Sequence, residues 1–182
     1  MVVSHNKVIA DWFERFGNDI YHFLIYRVGP TDAEDLLQEV FIKALKGFNS
    51  FKENASPKTW LFSIARNLAI DESRKKKTKK WAETVPLDVM NEPKTNSSPE
   101  TILDFNEDTK AIYECIHQLK PTYQDVIILR GIKELSVEET ANILKWSESK
   151  VKSTHHRAKL ALQEELRRCI SYEEVKSPRA AR

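Results

Sequence analysis

The stretch WAETVPLDVMNEPKTNSSPETIL, residues 81–103, does most to limit what this chain can become. Pro86, Pro93 and Pro99 each remove a backbone donor and push the preceding residue away from helix. Polar residues fill the gaps, and no apolar stripe survives between them. Such a segment connects more readily than it packs. Residues 81–105 therefore read as a flexible linker, the alternative being a long loop packed on one domain. A chain of 182 residues is long enough for two small domains, each with a modest core.

Both flanks carry helical periodicity. Ile9, Trp12, Phe13, Phe16, Ile20, Phe23 and Leu24 recur at helical spacing, with Gly17 and Asn18 as a point of breakage or kinking. Gly29-Pro30-Thr31-Asp32 reads as a turn with a Thr or Asp cap opening a second helix. A loop, FNSFKENASPKT, leads to a third helix starting near Thr59. After residue 106 the pattern returns and runs to about residue 172, followed by a sparse basic tail, 173–182. With only four glycines and no alternating strands between turn dipeptides, the expected class is all-α: two small helical domains, residues 1–80 and 106–172.

Composition excludes several classes. Hydrophobic residues at 41% and charged residues at 31% fit a globular chain better than a disordered one. The apolar runs are too short to cross a bilayer and the start, MVVSHNKVIADWF, lacks signal-peptide design, so no membrane insertion and a cytoplasmic location are expected. Cys115 and Cys169 form no CxxC pair, which leaves a metal site or disulfide framework with little support. Net charge is only +2, but ESRKKKTKK, residues 72–80, concentrates basic residues locally. Alone, such a run is a solvated face.

The segment DAEDLLQEVFIKAL, residues 32–45, is more pointed. Ala33, Leu36, Leu37, Val40, Phe41, Ala44 and Leu45 form a buried stripe, whereas the opposite face carries Asp35, Gln38, Glu39 and Ile42. An isoleucine among carboxylates on a wet face suggests an apolar anchor with a polar surround, although a stray surface isoleucine is common. Asp32, Asp35 and Glu39 as a metal-binding nuclease cluster lack any supporting His or carboxylate motif. No catalytic residue, metal or cofactor is expected, and the chain is not read as an enzyme.

The second half contains LSVEETANILKWSESKVKSTHHRAKLALQEEL. Ser136 with Glu139 is a capping box, Val137, Ala141 and Leu144 turn inward, and Lys145-Trp146-Ser147 makes a tight turn with Ser147 capping the next helix. Val151, Ala158 and Leu162 continue the buried stripe. This is the helix-turn-helix pattern, whose second helix enters the DNA major groove with its first turns. Its outward face has Lys152, Ser153 and His156 for base edges, with Lys150, Arg157 and Lys159 on the flanks for phosphates. His155 falls on the core side, and adjacent histidines on a helix diverge too far to share a metal.

These residues resemble a known family. AEDLLQEVFIKAL with FNSFKENASPKTWLFSIARNLAIDESRKK is similar to the sigma-2 domain of extracytoplasmic-function (ECF) sigma factors, within the sigma-70 family. LKPTYQDVIILRGIKELSVEETANILKWSESKVKSTHHRAKLAL resembles their sigma-4 domain. The resemblance implies an alternative sigma factor that directs RNA polymerase to specific promoters. It implies docking of Asp35, Gln38, Glu39 and Ile42 on the β′ clamp of core polymerase, with the β flap as a second contact. It implies −10 recognition by Lys52, Asn54, Lys58, Arg66, Asn67 and Arg74, the loop forming a pocket for a flipped base and Asn67 standing where relatives place a base-contacting Asn. It assigns −35 recognition to Lys150, Lys152, Ser153, His156, Arg157 and Lys159. It also implies control by an anti-sigma factor, often membrane-bound. This chain has Ser149-Lys150-Val151 where relatives usually carry Gly-Thr-Val, Thr140 for a usual Ile, and His155 where Leu is frequent, so promoter bases do not carry over. The competing reading is a free-standing helix-turn-helix regulator with an N-terminal dimerisation or sensor domain.

Overall fold

The computed structural model describes residues 5–51, 56–82 and 107–176. Helix continues through residues 81 and 82, the first two of the segment read as a flexible linker; the rest of that segment, 83–105, and the last residues of the basic tail fall outside the described residues. Among the described residues every regular element is helical, and the chain divides into two compact units, Met1–Thr101 and Ile102–Arg182.

The first unit packs three helices: α1 (His5–Val28), α2 (Pro30–Gly47) and α3 (Pro57–Ala82). Helix α1 runs unbroken through Gly17 and Asn18. The apolar stripe on both sides outweighs the local glycine cost of about 1 kcal/mol. Gly29 at φ 97 occupies a backbone region that favours glycine, and its N–H donates to Ile25 O at 3.0 Å. Helix α2 then opens on Pro30 with no side-chain cap, so the expected Thr31 or Asp32 cap is not formed. Proline at the first helical position needs no partner for an N–H it lacks. Asp32 instead pairs with Lys76 on α3.

Fully buried alanines, Ala33, Ala44, Ala65 and Ala69, let the three backbones approach, while Ile20, Phe23, Leu24, Leu61 and Phe62 fill the centre. Phe23 and Phe62 meet edge to face at 5.5 Å. A short 3-10 turn, Phe48–Ser50, closes one end with an aromatic cluster. There Trp12 meets Phe51 at 5.1 Å and Phe51 meets Trp60 at 5.0 Å. Trp60 is half-buried in that cluster.

The second unit is built on one long strut. Helices α4 (Glu107–Gln118), α5 (Pro121–Val126) and α6 (Val137–Leu144) all pack on α7 (Glu148–Lys176). Helix α7 continues to Lys176, into the stretch read as tail. Gln124 ties α4 to α5 by donating to the carbonyls of His117 and Leu119 at 3.1 and 2.8 Å. Helix α5 passes into a wider π-type turn, Ile127–Ile132, whose end is marked by Lys133 N–H donating to Ile128 O at 2.8 Å. Arg130 bonds the Leu135 carbonyl across the following bend. The core is aliphatic: Ile116, Val126, Ile128, Leu129, Ile143, Val151 and Ala158.

Candidate nucleic-acid interface

On α2 the outward residues separate cleanly from the core. Asp35, Gln38 and Ile42 are exposed, Ile42 by 51%, and Glu39 is half-buried with Lys43 at 3.6 Å. Leu45, expected in the buried stripe, is 39% exposed. It lies one turn from Ile42, beyond the sector that α1 and α3 cover. Phe13 of α1 is also 48% exposed, its ring edge-on to Phe41 at 5.0 Å. The exposed apolar surface on this side is thus wider than one isoleucine, with Leu45 one turn from Ile42 and Phe13 against Phe41. Periodicity missed Phe13 and Leu45 because it marks apolar positions without saying how far the neighbouring helices reach.

Helix α3 begins at Pro57, one half-turn before the expected Thr59, so Lys58 belongs to its first turn rather than to the loop. Lys58 Nζ is 3.0 Å from Asp19 on α1, a partly buried ion pair. Arg66 is half-buried, Asn67 is exposed, and Arg74 is largely exposed at 3.8 Å from Asp71. Lys52 and Asn54 lie outside the described residues. Asn67 and Arg74 are two turns apart and fall on nearly one line along the helix. Leu36, Glu39 and Lys43 of α2 form a groove of about 330 Å³ with Leu68, Asp71 and Arg74 of α3. Glu39 and Arg74, candidates for two different partners, therefore line the same groove. Beyond it, Lys75, Lys76, Lys77 and Lys79 stand exposed, with Lys75 at 3.7 Å from Glu72. Exposed pairs of this kind hold their cations weakly.

In the second unit the cap chemistry sets the geometry. The Ser136 hydroxyl accepts from Glu139 N–H at 3.0 Å, and the Glu139 carboxylate accepts from Ser136 N–H at 2.7 Å. Helix α6 ends on Lys145 in the left-handed region, φ 55 and ψ 45. Ser147 Oγ then accepts from Lys150 N–H at 3.3 Å to open α7. Val151, Thr154 and Ala158 are buried against the unit, which leaves Lys152, Ser153, His156, Arg157 and Lys159 exposed. Lys150 is also exposed, its Nζ 4.3 Å above the Trp146 ring. Lys159 shares a line with Lys152 and stands about 10 Å further along the helix, rather than to the side. Leu160, 54% exposed on this same face, was not expected. Lys152 is 3.8 Å from Glu148, an exposed pair that a phosphate or base edge displaces at little cost.

His155 is half-buried, and burial first, then Lys159 and Arg130, lowers its pKa below 6.5. The shift favours the neutral imidazole. Thr140, where relatives usually carry Ile, is fully buried, and its Oγ1 has no hydrogen-bond partner among the described residues.

Residues 12–79 match Sigma-70 region 2, and residues 109–162 match Sigma-70, region 4. The chain belongs to the ECF sigma-70 family. The ECF RNA polymerase sigma factor SigX of Bacillus subtilis is 38% identical over 85% of this chain and 81% of that protein. The RNA polymerase sigma factor YlaC of the same organism is 33% identical over 95% of this chain and 100% of that one. Among solved structures, the sigma factor RpoE in complex with the anti-sigma factor NepR from Bartonella quintana superposes with a TM-score of 0.70 at 26% identity, over 88% of this chain and 98% of that one. CnrH, solved with the cytosolic domain of CnrY, shares the fold with a TM-score of 0.65 at 19% identity, over 87% of each chain. In this sigma factor the α2 face and the α2–α3 groove lie inside the region 2 match, and the exposed face of α7 lies inside the region 4 match. No helix among its described residues is long and apolar enough to cross a membrane.

Proposed function

We propose that this sigma factor docks on core RNA polymerase through the outward face of α2 and carries it to a small set of promoters. One observation carries the reading. Ile42, half exposed, sits among Asp35, Gln38 and Glu39 within region 2, with Leu45 and Phe13 extending the apolar surface. A helix face that has no part in the core of its own unit and yet presents apolar anchors in a polar rim has the composition of an interface centre. The β′ clamp is its partner, with the β flap engaging the second domain.

Promoter contact follows from the other two surfaces. Asn67, Arg66 and Arg74, with Lys52, Asn54 and Lys58 near the start of α3, face the −10 element, and the lysines beyond Arg74 track the backbone of the DNA. Lys152, Ser153 and His156 read −35 base edges, while Lys150, Arg157 and Lys159 contact phosphates. The division into residues 1–80, 81–105, 106–172 and 173–182 assigns polymerase docking with −10 melting, a linker, −35 recognition and a basic tail. The protein performs no chemistry itself and works in the cytoplasm. A membrane-bound anti-sigma factor holds it inactive. The NepR complex of RpoE, a relative in fold and sequence, supports that part of the reading.

The test joins Gln38→Ala with Ile42→Glu. Both side chains are exposed, so helix content and melting stay as in the parent. A buried charge in place of an apolar anchor costs several kcal/mol at an interface. Co-purification with core polymerase and promoter-directed transcription should both be lost. Retained co-purification overturns the assignment of this face. Tight footprinting of a promoter by the isolated protein at physiological salt would favour a free-standing regulator instead.

A further inference from the structure

The two cysteines of the chain, far apart in sequence, meet in space. Cys115 on α4 and Cys169 on α7 bring their sulfurs to 3.0 Å across the helix pair. Both are free thiols, Cys115 buried and Cys169 half-buried. They are the chain's only cysteines, so any thiol chemistry of the protein belongs to this pair.

We propose that Cys115 and Cys169 form an oxidisable site at which a hydroperoxide converts two thiols into one disulfide that fastens α4 to the C-terminal half of α7. The separation decides the geometry. A disulfide needs about 2.05 Å between sulfurs, which these atoms reach by moving roughly 1 Å. The exposures assign the order of events. Cys169, the more accessible sulfur, attacks the peroxide: its S–O bond forms, the O–O bond breaks, and an alcohol or water leaves, giving a sulfenic acid. Cys115 then attacks that sulfur. The S–S bond forms, the S–O bond breaks, and the leaving hydroxide takes the Cys115 proton as water. Two thiols and one hydroperoxide give one disulfide, one alcohol and one water, so electrons and protons balance.

Cys115 is the slower of the two towards a solvent oxidant. Burial first, then its hydrogen bond with Cys169 and the nearby charges of Cys169, Glu165 and Glu114, push its thiol up to about 12, so it resists attack on solvent oxidants. A sulfur already in contact with the sulfenic acid needs no encounter with solvent. In a reducing compartment such a bond is reversible and transient, which is the behaviour of a sensor rather than a staple.

The experiment uses the full chain, reduced, freed of reductant and treated with hydrogen peroxide. Its mass should fall by about 2 Da, the two thiol hydrogens, with loss of all titratable thiol and recovery on adding dithiothreitol. Digestion should yield the two cysteine peptides joined. Amides of α4 should exchange roughly tenfold slower in the oxidised protein. Cys115→Ser should stop at an oxygen adduct of about 16 Da on Cys169. Cys169→Ser should leave Cys115 unreactive in the folded protein, a measurement that stands even where Cys115→Ser fails to fold. Oxygen adducts on the parent without the 2 Da loss overturn the proposal. So do disulfide-linked dimers alone, or Cys115 oxidised equally fast without Cys169. None of these readings depends on polymerase or promoter.

Discussion

The two units make the same kind of element by different means. The first interlocks aromatic rings, Phe23 with Phe62 and Trp12 with Phe51, between three regular helices. The second has an aliphatic core on one strut and departs repeatedly from regularity: a π-type turn, positive φ at Glu134 and Lys145, and a buried Thr140 hydroxyl with no partner among the described residues. In the first unit the candidate surface is what ordinary packing leaves uncovered. In the second it is made by the exceptions, since the left-handed Lys145 and the cap at Ser147 fix how α7 leaves α6. A regular bundle presents faces, whereas an irregular one aims a helix.

The contrast breaks first if the units are not independent. Phe62→Ala removes a fully buried ring from the first core and should cost about 3–5 kcal/mol there. Calorimetry should show the first unit melting early and the second unchanged; a single shifted transition would mean one cooperative body.

Next comes the aimed helix. Lys152→Ala or His156→Ala should each cost roughly 1–3 kcal/mol on preferred promoters and relax the preference at one or two −35 positions. Lys159→Ala should weaken all promoters alike and lower the salt slope by about one unit. Promoter-library transcription with salt titrations reads both. A changed base preference for Lys159→Ala alone would reverse the assignment.

A smaller effect sharpens the point about exceptions. Thr140→Val keeps the shape and removes the unpartnered hydroxyl, so the second unit should gain about 1 kcal/mol. For a domain of this size that is a rise of about 4–8 °C in Tm. No gain would mean that the hydroxyl has a partner in solution.

The smallest effect is pH dependence at His155, whose folded pKa lies below 6.5. The unfolded chain therefore takes up the proton first as pH falls. His155 leaves stability intact above about 6.5 and reduces it progressively down to the lower folded pKa. Melting of the second unit from about pH 7.5 to 5.5 should show that loss, and His155→Leu should flatten it. An unaltered slope would assign the dependence to other groups.

Much of this was legible in the sequence because both periodicity and caps are local. The α1, α2 and α7 stripes, the Ser136–Glu139 box and the turn at Lys145 are written within a few residues of where they act. What was not legible depends on neighbours. The stripe of α2 does not say that α1 and α3 stop short of Leu45, and Gly17 could not be judged without the packing that keeps α1 continuous. Lys58 read as a loop cation until Asp19 stood opposite it. Cys115 and Cys169 show no motif because their meeting is a property of the α4–α7 crossing. The groove shared by Glu39 and Arg74 belongs to two helices that sequence reads separately.

Helix α7 has a mechanical consequence as well. It carries the exposed Lys152 near one end and Cys169 towards the other, and with buried Ala158 between them taken as the fulcrum the helix works as a lever. At 1.5 Å per residue the arms are about 9 and 16 Å long. A tilt of about 5° at the fulcrum moves the far end by roughly 1.4 Å and the near end by roughly 0.8 Å. A stiff rod of this kind transmits displacement with the sign reversed and the size reduced. Any ligand, substitution or bond that shifts the far end is felt as a sub-ångström adjustment where base edges would be read, a scale that retunes hydrogen-bond lengths without unseating the helix.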